Sequence, residues 1–247
     1  MSGALNLKRK KATLSVGSRR KANLGELADQ FGASRFIDLD DPRTFDQALK
    51  GITGIFLITG YTVDMLVQSK SLIDAAKRNG VNHIVHLGAF TRDHDVYATV
   101  FAWHQMIEAY LRDSGIAWTN LHPNMFMQNF LSVWSIKDGV YSAYTSKAIG
   151  FTALEDVTEA AAVVLMEGPE KHNGKDYWFS ADVLTPHQAA ETLLRLPVVS
   201  SQPQFRKPKV SKTMPHSLIQ HSNQRMQRED SNCSDRSRTE EWRTLEA

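Results

Sequence analysis

Strand-like and helix-like hydrophobic patterns alternate along the middle of this 247-residue chain, between residues 12 and 194. Short apolar runs that end at a turn residue predict β-strands at 12–16, 36–39, 52–59, 83–87 and 118–121. Apolar residues three and four positions apart predict the helices between them, at 23–31, 42–49, 63–77 and 101–113. Strands that alternate with crossover helices pair in parallel. The pattern therefore predicts an α/β fold with a doubly wound, mostly parallel sheet.

The rest of the chain divides into a structured part and two polar ends. Beyond residue 124, the same patterns predict strands at 149–152 and 177–179 and helices at 155–166 and 185–194. We expect one domain over 12–196, with its substrate-side elements in 124–196. A basic segment, 1–11, precedes it. The polar segment 197–247 has too few apolar residues to offset chain entropy, so we expect it to be disordered.

Charge, cysteine content and hydropathy exclude several classes of protein. The net charge of +2 argues against strong electrostatic binding to nucleic acid. The one cysteine, Cys233, cannot form an intramolecular disulfide, which fits a reducing compartment. No stretch approaches the ~18 consecutive apolar residues that a membrane span needs. We therefore expect a cytoplasmic protein that binds neither nucleic acid nor a membrane.

Two polar clusters follow the first two predicted strands, at the sheet edge where ligands of parallel α/β folds bind. Arg19 and Arg20 stand where guanidinium groups could hold the 2′-phosphate of NADP, although a solvated turn is an alternative. Asp38 and Leu39 end the next strand, and the Asp38 carboxylate could accept a hydrogen bond from an adenine amino group. The two aspartates that follow are better suited to cap the helix that begins near residue 42.

Glycines follow the next two strands and would let a ligand approach the backbone closely. The pairs Thr59-Gly60 and Gly88-Ala89 are therefore candidates for contacts to ribose and phosphate. His104 shares a helix face with the glutamate four residues later. It is a candidate proton donor, or else a histidine that is hydrogen-bonded within the fold. The histidines do not show the spacing of metal ligands, so no metal site is predicted.

The usual phosphate-binding start of a dinucleotide-binding domain is missing from the sequence. Such a domain begins with a strand and a G-x-G-x-x-G turn that places the pyrophosphate at a helix N-terminus. Here the only glycine before Gly17 is Gly3, and no apolar strand precedes it. We expect a fold that is incomplete at its N-terminus, with a gap or a filler in place of the first strand. The next two strands would then re-pair or lose contact with the rest, and NADP would bind weakly.

In combination, several segments resemble the NmrA-like family of atypical short-chain dehydrogenases. The longest are GITGIFLIT at 51–59 and AAKRNGVNHIV at 75–85. The others are 104–108, 114–119, Leu121, Pro123, Asn124, Phe126, Asn129, 155–157 and 174–177. The resemblance covers about residues 12 to 194 and begins at the second strand of the family.

The resemblance implies a Rossmann-like fold that binds NAD(P), often NADP(H), and it suggests a role for each matching residue. It assigns the 2′-phosphate to Arg19 and Arg20, the adenosine ribose and phosphates to Thr59 and Gly60, the nicotinamide ribose to Gly88 and Ala89, and the nicotinamide and substrate to Pro123, Asn124 and Phe126. His104 falls where several members have a lysine that holds the ribose or assists proton transfer. His122 stands where arginine is common, and the Tyr-x-x-x-Lys pair is not found.

The function that the resemblance implies is hydride transfer from NAD(P)H to a quinone-like or other small conjugated acceptor. Two alternatives remain open at this point. One is a non-catalytic redox-sensing regulator or binding module, which would act through a protein partner. The other is a truncated, inactive paralogue. The missing glycine-rich turn favours these two alternatives, whereas the family resemblance favours the enzyme.

Overall fold

The structure is a computed structural model that describes residues 13–90, 99–131, 136–137, 140–141 and 147–195. The basic segment 1–11 and the predicted disordered segment 197–247 lie outside the described residues. The described residues divide into two compact units. One unit comprises the residues up to 90 together with 99–122 and 155–177, and the other comprises those within 123–154 and 178–195.

The described chain alternates between strands and helices, as the sequence predicts. The strands are β1 Val16–Ser18, β2 Ser34–Phe36, β3 Gly54–Leu57, β4 His83–Leu87, β5 Ala117–Pro123, β6 Met125–Phe126, β7 Ile136–Lys137, β8 Val140–Tyr141, β9 Ile149–Thr152, β10 Lys175–Phe179 and β11 Asp182–Leu184. The α-helices are α1 Leu24–Phe31, α2 Phe45–Leu49, α3 Met65–Arg78, α4 Thr99–Asp113, α5 Leu154–Glu167, α6 Pro169–His172 and α7 Pro186–Arg195. None of these helices combines the length and the hydropathy that crossing a membrane requires.

Two helices begin at the caps that the sequence predicts. The Asp41 side chain accepts a hydrogen bond from the Arg43 N–H at 3.2 Å, and Pro42 opens the 3-10 turn that leads into α2. At the start of α7, Thr185 Oγ1 accepts from the Gln188 N–H at 3.3 Å, and Gln188 Oε1 accepts from the Thr185 N–H at 2.8 Å. This reciprocal pair satisfies backbone donors that the first turn of a helix leaves free.

Strands β3, β4 and β5 form a parallel sheet in which β10 is the neighbour of β5. Their carboxyl ends therefore share one edge, from which the candidate turns emerge. Helices α2, α3 and α4 supply most of the apolar core of the first unit. The larger members of this core are Phe45, Leu49, Leu57, Met65, Leu72, Ile73, Ile84, Ile107 and Leu111.

Helices cover both faces of this sheet. On one face, Leu165 of α5 lies 3.1 Å from the position that a Cβ at Gly54 would take. On the other face, the ring of His104 in α4 lies 5.4 Å from that of His86 in β4. Gly54 pairs with His83 in the register of β3 and β4, so these two residues share a face. His86 lies three residues after His83, and this odd spacing along a strand places it on the opposite face. The predicted doubly wound, mostly parallel α/β fold is confirmed.

Strands β1 and β2 form a parallel two-stranded sheet of their own, with Val16 opposite Ser34. In the described part of the chain they pair with no strand of the sheet that contains β3. Of the two outcomes expected for these strands, re-pairing or loss of contact with the rest, the structure shows loss of strand pairing, although Ile37 and Leu39 after β2 still pack against the core. Residues 1–12 lie outside the described residues. The gap or filler at the place of the first strand therefore stays a prediction.

Strand β2 lies at Ser34–Phe36 rather than at the predicted 36–39. The difference comes from turn chemistry. Asp38 Oδ1 accepts the backbone N–H two residues later at 3.1 Å, which bends the chain, and Thr44 Oγ1 accepts the Asp38 N–H at 3.0 Å. The apolar residues that suggested a strand here, Ile37 and Leu39, still pack against the core.

In its described residues, the second unit contains short strands, a 3-10 helix at Met127–Leu131 and helix α7. Strand β9 pairs antiparallel with β11 and parallel with β6, and β7 pairs antiparallel with β8. Strand β9 has the bounds that the sequence predicts. Its apolar side chains pack against α7 in a small core that contains Ile149, Phe151, Ala189 and Ala190.

Candidate functional site

The basic turn after β1 lies in solvent and is tied to the loop after β2. The Arg19 side chain is 68% exposed, and its Nη1 lies 3.6 Å from Oδ2 of Asp40, which is 57% exposed. Asp40 Oδ1 also accepts a hydrogen bond from Gln68 Nε2 in α3 at 2.6 Å. The neighbouring Arg20 is exposed, and its backbone N–H donates to Ser18 Oγ at 3.1 Å. An exposed ion pair contributes at most about 1 kcal/mol, so the Arg19 guanidinium can exchange partners.

The residues predicted to contact adenine take part in the same loop. Asp38 Oδ1 closes its own turn, and the Asp38 carbonyl accepts from Thr44 Oγ1 at 3.3 Å. Leu39 is partly buried against the apolar core. The loop itself accounts for these contacts. The assignment of Asp38 to adenine and of Leu39 to the cofactor site stays a prediction.

The turn after β3 leaves room for a ligand. A Cβ at Gly60 would meet no atom within 4 Å. Just before it, Thr59 Oγ1 is buried and has no hydrogen-bond partner among the described residues. Just after it, the Tyr61 side chain is exposed, and its ring meets His104 edge-on with 5.8 Å between centroids. The structure therefore brings the Thr59–Gly60 turn and His104 to one place on the sheet edge.

Polar side chains fill the space between α4 and the sheet, where apolar residues usually pack. The members are His86 on β4, Asn120 and His122 on β5, Asp176 on β10, and His104, Glu108 and Arg112 on α4. We call this group the polar layer. Its members recur every second residue on β5 and every fourth residue on α4. These are the spacings that keep side chains on one face of a strand and on one face of a helix.

His122 lies at the centre of the polar layer and uses both ring nitrogens. Its Nδ1 donates to the carbonyl of Ala89 at 2.9 Å, and its Nε2 lies 2.9 Å from Asp176 Oδ1. Glu108 Oε1 lies 3.6 Å from Nδ1. Burial alone would lower the pKa of His122, but the hydrogen bond to Asp176, the charge of Glu108 and the Ala89 carbonyl together raise it above its ordinary value.

The two carboxyl groups of the polar layer differ in proton affinity. Burial raises the pKa of Glu108, against the opposing effects of His122 and Arg112. Burial also raises the pKa of Asp176. Hydrogen bonds from His122 and Asn120, together with the positive charges nearby, outweigh this effect, so the pKa of Asp176 lies below its ordinary value. Asp176 is therefore the charged partner of His122, and Glu108 binds a proton more readily than an exposed glutamate.

The same three side chains also have the spacing of a metal donor set. One atom each from Glu108, His122 and Asp176 lies within 4.8 Å of the others. However, the Arg112 guanidinium already lies 3.4 Å from Glu108 and 3.5 Å from Asp176, and His122 Nδ1 carries the hydrogen that it donates to Ala89. These contacts favour an ion-pair network over a metal site.

The turn after β4 packs directly on the polar layer. The Gly88 N–H donates to the carbonyl of Leu121 at 2.9 Å. A Cβ at Gly88 would lie 2.9 Å from Glu108 Oε1 and 3.2 Å from His122 Nδ1, so a larger residue would displace buried groups. Gly88 and Ala89, the residues predicted to contact the nicotinamide ribose, are thus attached to His122.

His104, the predicted catalytic residue, is buried, and neither of its ring nitrogens has a hydrogen-bond partner in the described part of the chain. Burial, assisted by the charge of His122, lowers the pKa of His104 to about 4. Burial likewise lowers the pKa of His86 to about 3. Both rings are neutral near pH 7, so His104 can donate and accept a hydrogen bond but does not store a proton there. Its catalytic role stays a prediction.

The remaining predicted residues belong to the second unit. Pro123 is buried, and the Asn124 N–H donates to the carbonyl of Phe179 at 3.0 Å, which orders the segment after β5. A side chain at Gly150 would clash with the Asn124 amide. Phe126 is half-buried and lies opposite Thr152 in the register of β6 and β9. The contacts of Pro123, Asn124 and Phe126 with a ligand stay predictions.

Sequence reasoning missed part of the polar layer. It noted that His104 and Glu108 share a helix face, but it gave no role to Asn120 or Asp176. A signal was present, because Asn120 and His122 are polar residues two positions apart, the spacing of one strand face, and the structure buries both. Polar residues at that spacing opposite a polar helix stripe indicate a buried network.

Comparisons with known proteins identify the family. The model of the NmrA-like family matches residues 26–227. An NAD(P)H azoreductase of Xenophilus azovorans is 35% identical over 94 residues, which cover 38% of this chain and 33% of that protein. Quinone oxidoreductase 2 of Escherichia coli (strain K12) is 29% identical over 168 residues, which cover 66% of this chain and 58% of that protein. The chain thus spans less than two thirds of either relative.

Solved structures show the same fold. An NADPH-dependent quinone oxidoreductase of Escherichia coli, complexed with NADPH, has a TM-score of 0.67 and 27% identity, with 78% of this chain and 70% of that chain covered. The triphenylmethane reductase of Citrobacter sp., complexed with NADP(H), has a TM-score of 0.69 and 22% identity, with 85% and 75% covered. Because the family model matches residues 26–227 of the 247 residues, the chain belongs to the NmrA-like family.

Proposed function

We propose that this protein binds NADP(H) and reduces a quinone-like or other small conjugated acceptor. The observation that carries the proposal is the exposed guanidinium of Arg19 directly after β1, beside Arg20. Sequence relatives named as an NAD(P)H azoreductase and a quinone oxidoreductase support the reaction class. The solved quinone oxidoreductase with bound NADPH supports the cofactor.

Two turns at the sheet edge support binding of the adenosine half of the cofactor. Arg19 would hold the 2′-phosphate, because a guanidinium binds a phosphate dianion more strongly than it binds an exposed carboxylate. The open space at Gly60 would admit the ribose and phosphates. The cofactor supplies the hydride, and the protein supplies position and electrostatics.

A titration with NADPH and with NADH tests the proposed cofactor. We expect the wild type to prefer NADPH, and we expect Arg19→Ala to lose a preference of about ten- to a hundredfold, the size of a charge-assisted hydrogen bond. The matched control is Arg78→Ala. Arg78 is also exposed and forms an ion pair, with Asp46 at 3.4 Å, but it lies at the C-terminal end of α3. A preference for NADH, or equal losses in the two variants, would overturn the proposal.

A second candidate is a regulator that binds the cofactor without turnover. The neutral ring of His104 favours it, because the predicted proton donor has a pKa of about 4. The two functions differ in one measurement, the consumption of NADPH in the presence of a naphthoquinone. Binding of NADPH without consumption would favour the regulator, whereas saturable consumption would favour the reductase.

A further inference from the structure

The Gly88–Ala89 turn is held to β5 by a backbone hydrogen bond from the Gly88 N–H to the Leu121 carbonyl and by the side chain of His122, which contacts the Ala89 carbonyl. A carbonyl oxygen only accepts, so the 2.9 Å contact between His122 Nδ1 and the Ala89 carbonyl requires a hydrogen on Nδ1. The ring itself is 3% exposed and is held in the polar layer. The position of the Ala89 carbonyl therefore depends on the orientation of this imidazole.

The contact of the second ring nitrogen favours the imidazolium form of His122. Nε2 of His122 lies 2.9 Å from Asp176 Oδ1, which also accepts from Asn120 Nδ2 at 2.8 Å. With Nδ1 already protonated, a neutral ring would direct its Nε2 lone pair at a carboxylate oxygen, which is repulsive. A hydrogen on Nε2 turns this contact into a charge-assisted hydrogen bond. Both contacts of the ring are satisfied only when it carries a positive charge.

We propose that His122 is a positioning residue: its protonated ring holds the Ala89 carbonyl and thereby fixes the Gly88–Ala89 turn for the nicotinamide half of NADP(H). This inference rests on the proposed function, since it assigns a device to the cofactor site. It implies that, when His122 loses one proton, the remaining hydrogen stays on Nε2 in the charge-assisted bond to Asp176. Nδ1 then no longer donates to the Ala89 carbonyl, and binding of the complete cofactor weakens. The adenosine half, which Arg19 would hold, remains unaffected.

The groups around His122 set the direction of the pH dependence. Glu108, Arg112 and His104 face it from α4, Asp176 from β10 and His86 from β4. The two carboxyl groups raise the pKa of His122, while burial opposes them. Because the pKa of His122 in the folded protein lies above the ordinary histidine value of about 6.5, the ring keeps its proton at pH 6.5 and below, and the turn is held there. The turn is released as pH rises through the higher folded pKa. Affinity for NADPH should therefore fall on the alkaline side.

The test compares two ligands with the full chain, from about pH 6.5 to about pH 9.5. One ligand is NADPH and the other is adenosine 2′,5′-bisphosphate, which lacks the nicotinamide half. We expect the wild type to lose at least about tenfold in NADPH affinity as pH rises, the size of one charge-assisted hydrogen bond. His122→Gln should bind NADPH weakly at every pH. Binding of the bisphosphate should be the same in both proteins.

The matched control is His172→Gln. His172 is also buried and bonded to a carboxylate, Glu167 at 2.9 Å, but it contacts Tyr177 rather than the Gly88 turn. If His172→Gln and His122→Gln weaken the binding of both ligands to the same extent, the positioning role is wrong and the effect comes from general destabilisation of the protein. His122→Gln that binds NADPH with the affinity and pH profile of the wild type would also overturn it, while the proposed function stands.

Two further outcomes complete the test. If neither ligand binds to the wild type, the proposed function fails, and the inference fails with it. If His122→Gln does not fold, Glu108→Gln replaces it, because removing this carboxylate removes one cause of the raised pKa of His122. The alkaline loss of NADPH affinity should then move to lower pH. An unmoved profile would contradict the role of His122.

Discussion

Glu108 Oε1 lies 2.9 Å from the point at which a side chain at Gly88 would begin. His122 Nδ1 is 3.2 Å from the same point, and both groups are buried. We predict that Gly88→Ala lowers the free energy of unfolding by about 1–3 kcal/mol, because the added methyl group displaces buried charged groups. Chemical denaturation at neutral pH measures this change.

The matched control for this change is Gly25→Ala. Gly25 lies in α1, and a Cβ there would meet no atom within 4 Å. An alanine in this exposed helix should leave stability unchanged or raise it by up to about 1 kcal/mol. If Gly88→Ala behaved like Gly25→Ala, the turn would not be packed against the polar layer as the structure has it.

A second prediction concerns acid sensitivity. Burial holds the pKa of His104 at about 4, whereas an unfolded histidine titrates near about 6.5. A depressed folded pKa means that this group contributes stability above about pH 6.5 and loses it as pH falls towards the folded value. Between about pH 7 and about pH 5, we predict that the free energy of unfolding falls by about 2 kcal/mol more in the wild type than in His104→Leu. Denaturant titrations at the two pH values measure the difference.

His187→Leu controls for the loss of a histidine as such, since His187 lies on the exposed surface of α7. Equal acid sensitivity in the wild type and in His104→Leu would show that the His104 ring is hydrated in solution, in conflict with its burial. A parallel change in His187→Leu would show that the effect does not come from the buried site.

The fold was largely predictable because apolar patterns determine it, and strand β4 illustrates this. The predicted strand at 83–87 matches β4, His83–Leu87, because the β-branched pair Ile84-Val85 stands in a short run that Gly80 precedes and Gly88 ends. The strand predicted at 36–39 was displaced because the turn formed by Asp38 outweighs the strand preference of its apolar neighbours. Local side-chain hydrogen bonds of this kind are not visible in hydrophobic periodicity.

The polar layer could be predicted only in part. His104 and Glu108 are four residues apart, so their shared face follows from the sequence. Asp176 joins them through the pairing of β10 with β5, across more than fifty positions of sequence, and no local pattern indicates that pairing. The attachment of Ala89 to His122 likewise depends on the packing of the turn against β5. Contacts between distant segments of the chain needed the structure.

A third prediction concerns the carboxylate that neutralises Arg19. Asp40→Asn removes the charge 3.6 Å from the guanidinium but keeps an acceptor for Gln68. We predict that this change tightens NADPH binding by about two- to fivefold, the size of an exposed ion pair, and leaves NADH binding unchanged. Asp46→Asn is the control, because Asp46 neutralises Arg78 in the same way at the end of α3. Weaker NADPH binding by Asp40→Asn would argue against a phosphate at Arg19.

The most direct measurement is the steady-state oxidation of NADPH by the full chain in the presence of a naphthoquinone, compared with the same reaction using NADH. Membership of the NmrA-like family and the exposed guanidinium of Arg19 lead us to expect saturable turnover with a higher kcat/KM for NADPH. Arg19→Ala should remove that preference, mainly through KM, because the 2′-phosphate is held equally in the ground state and in the transition state. Absence of turnover with either cofactor, or a preference for NADH, would contradict the proposal that this chain is an NADPH-dependent reductase.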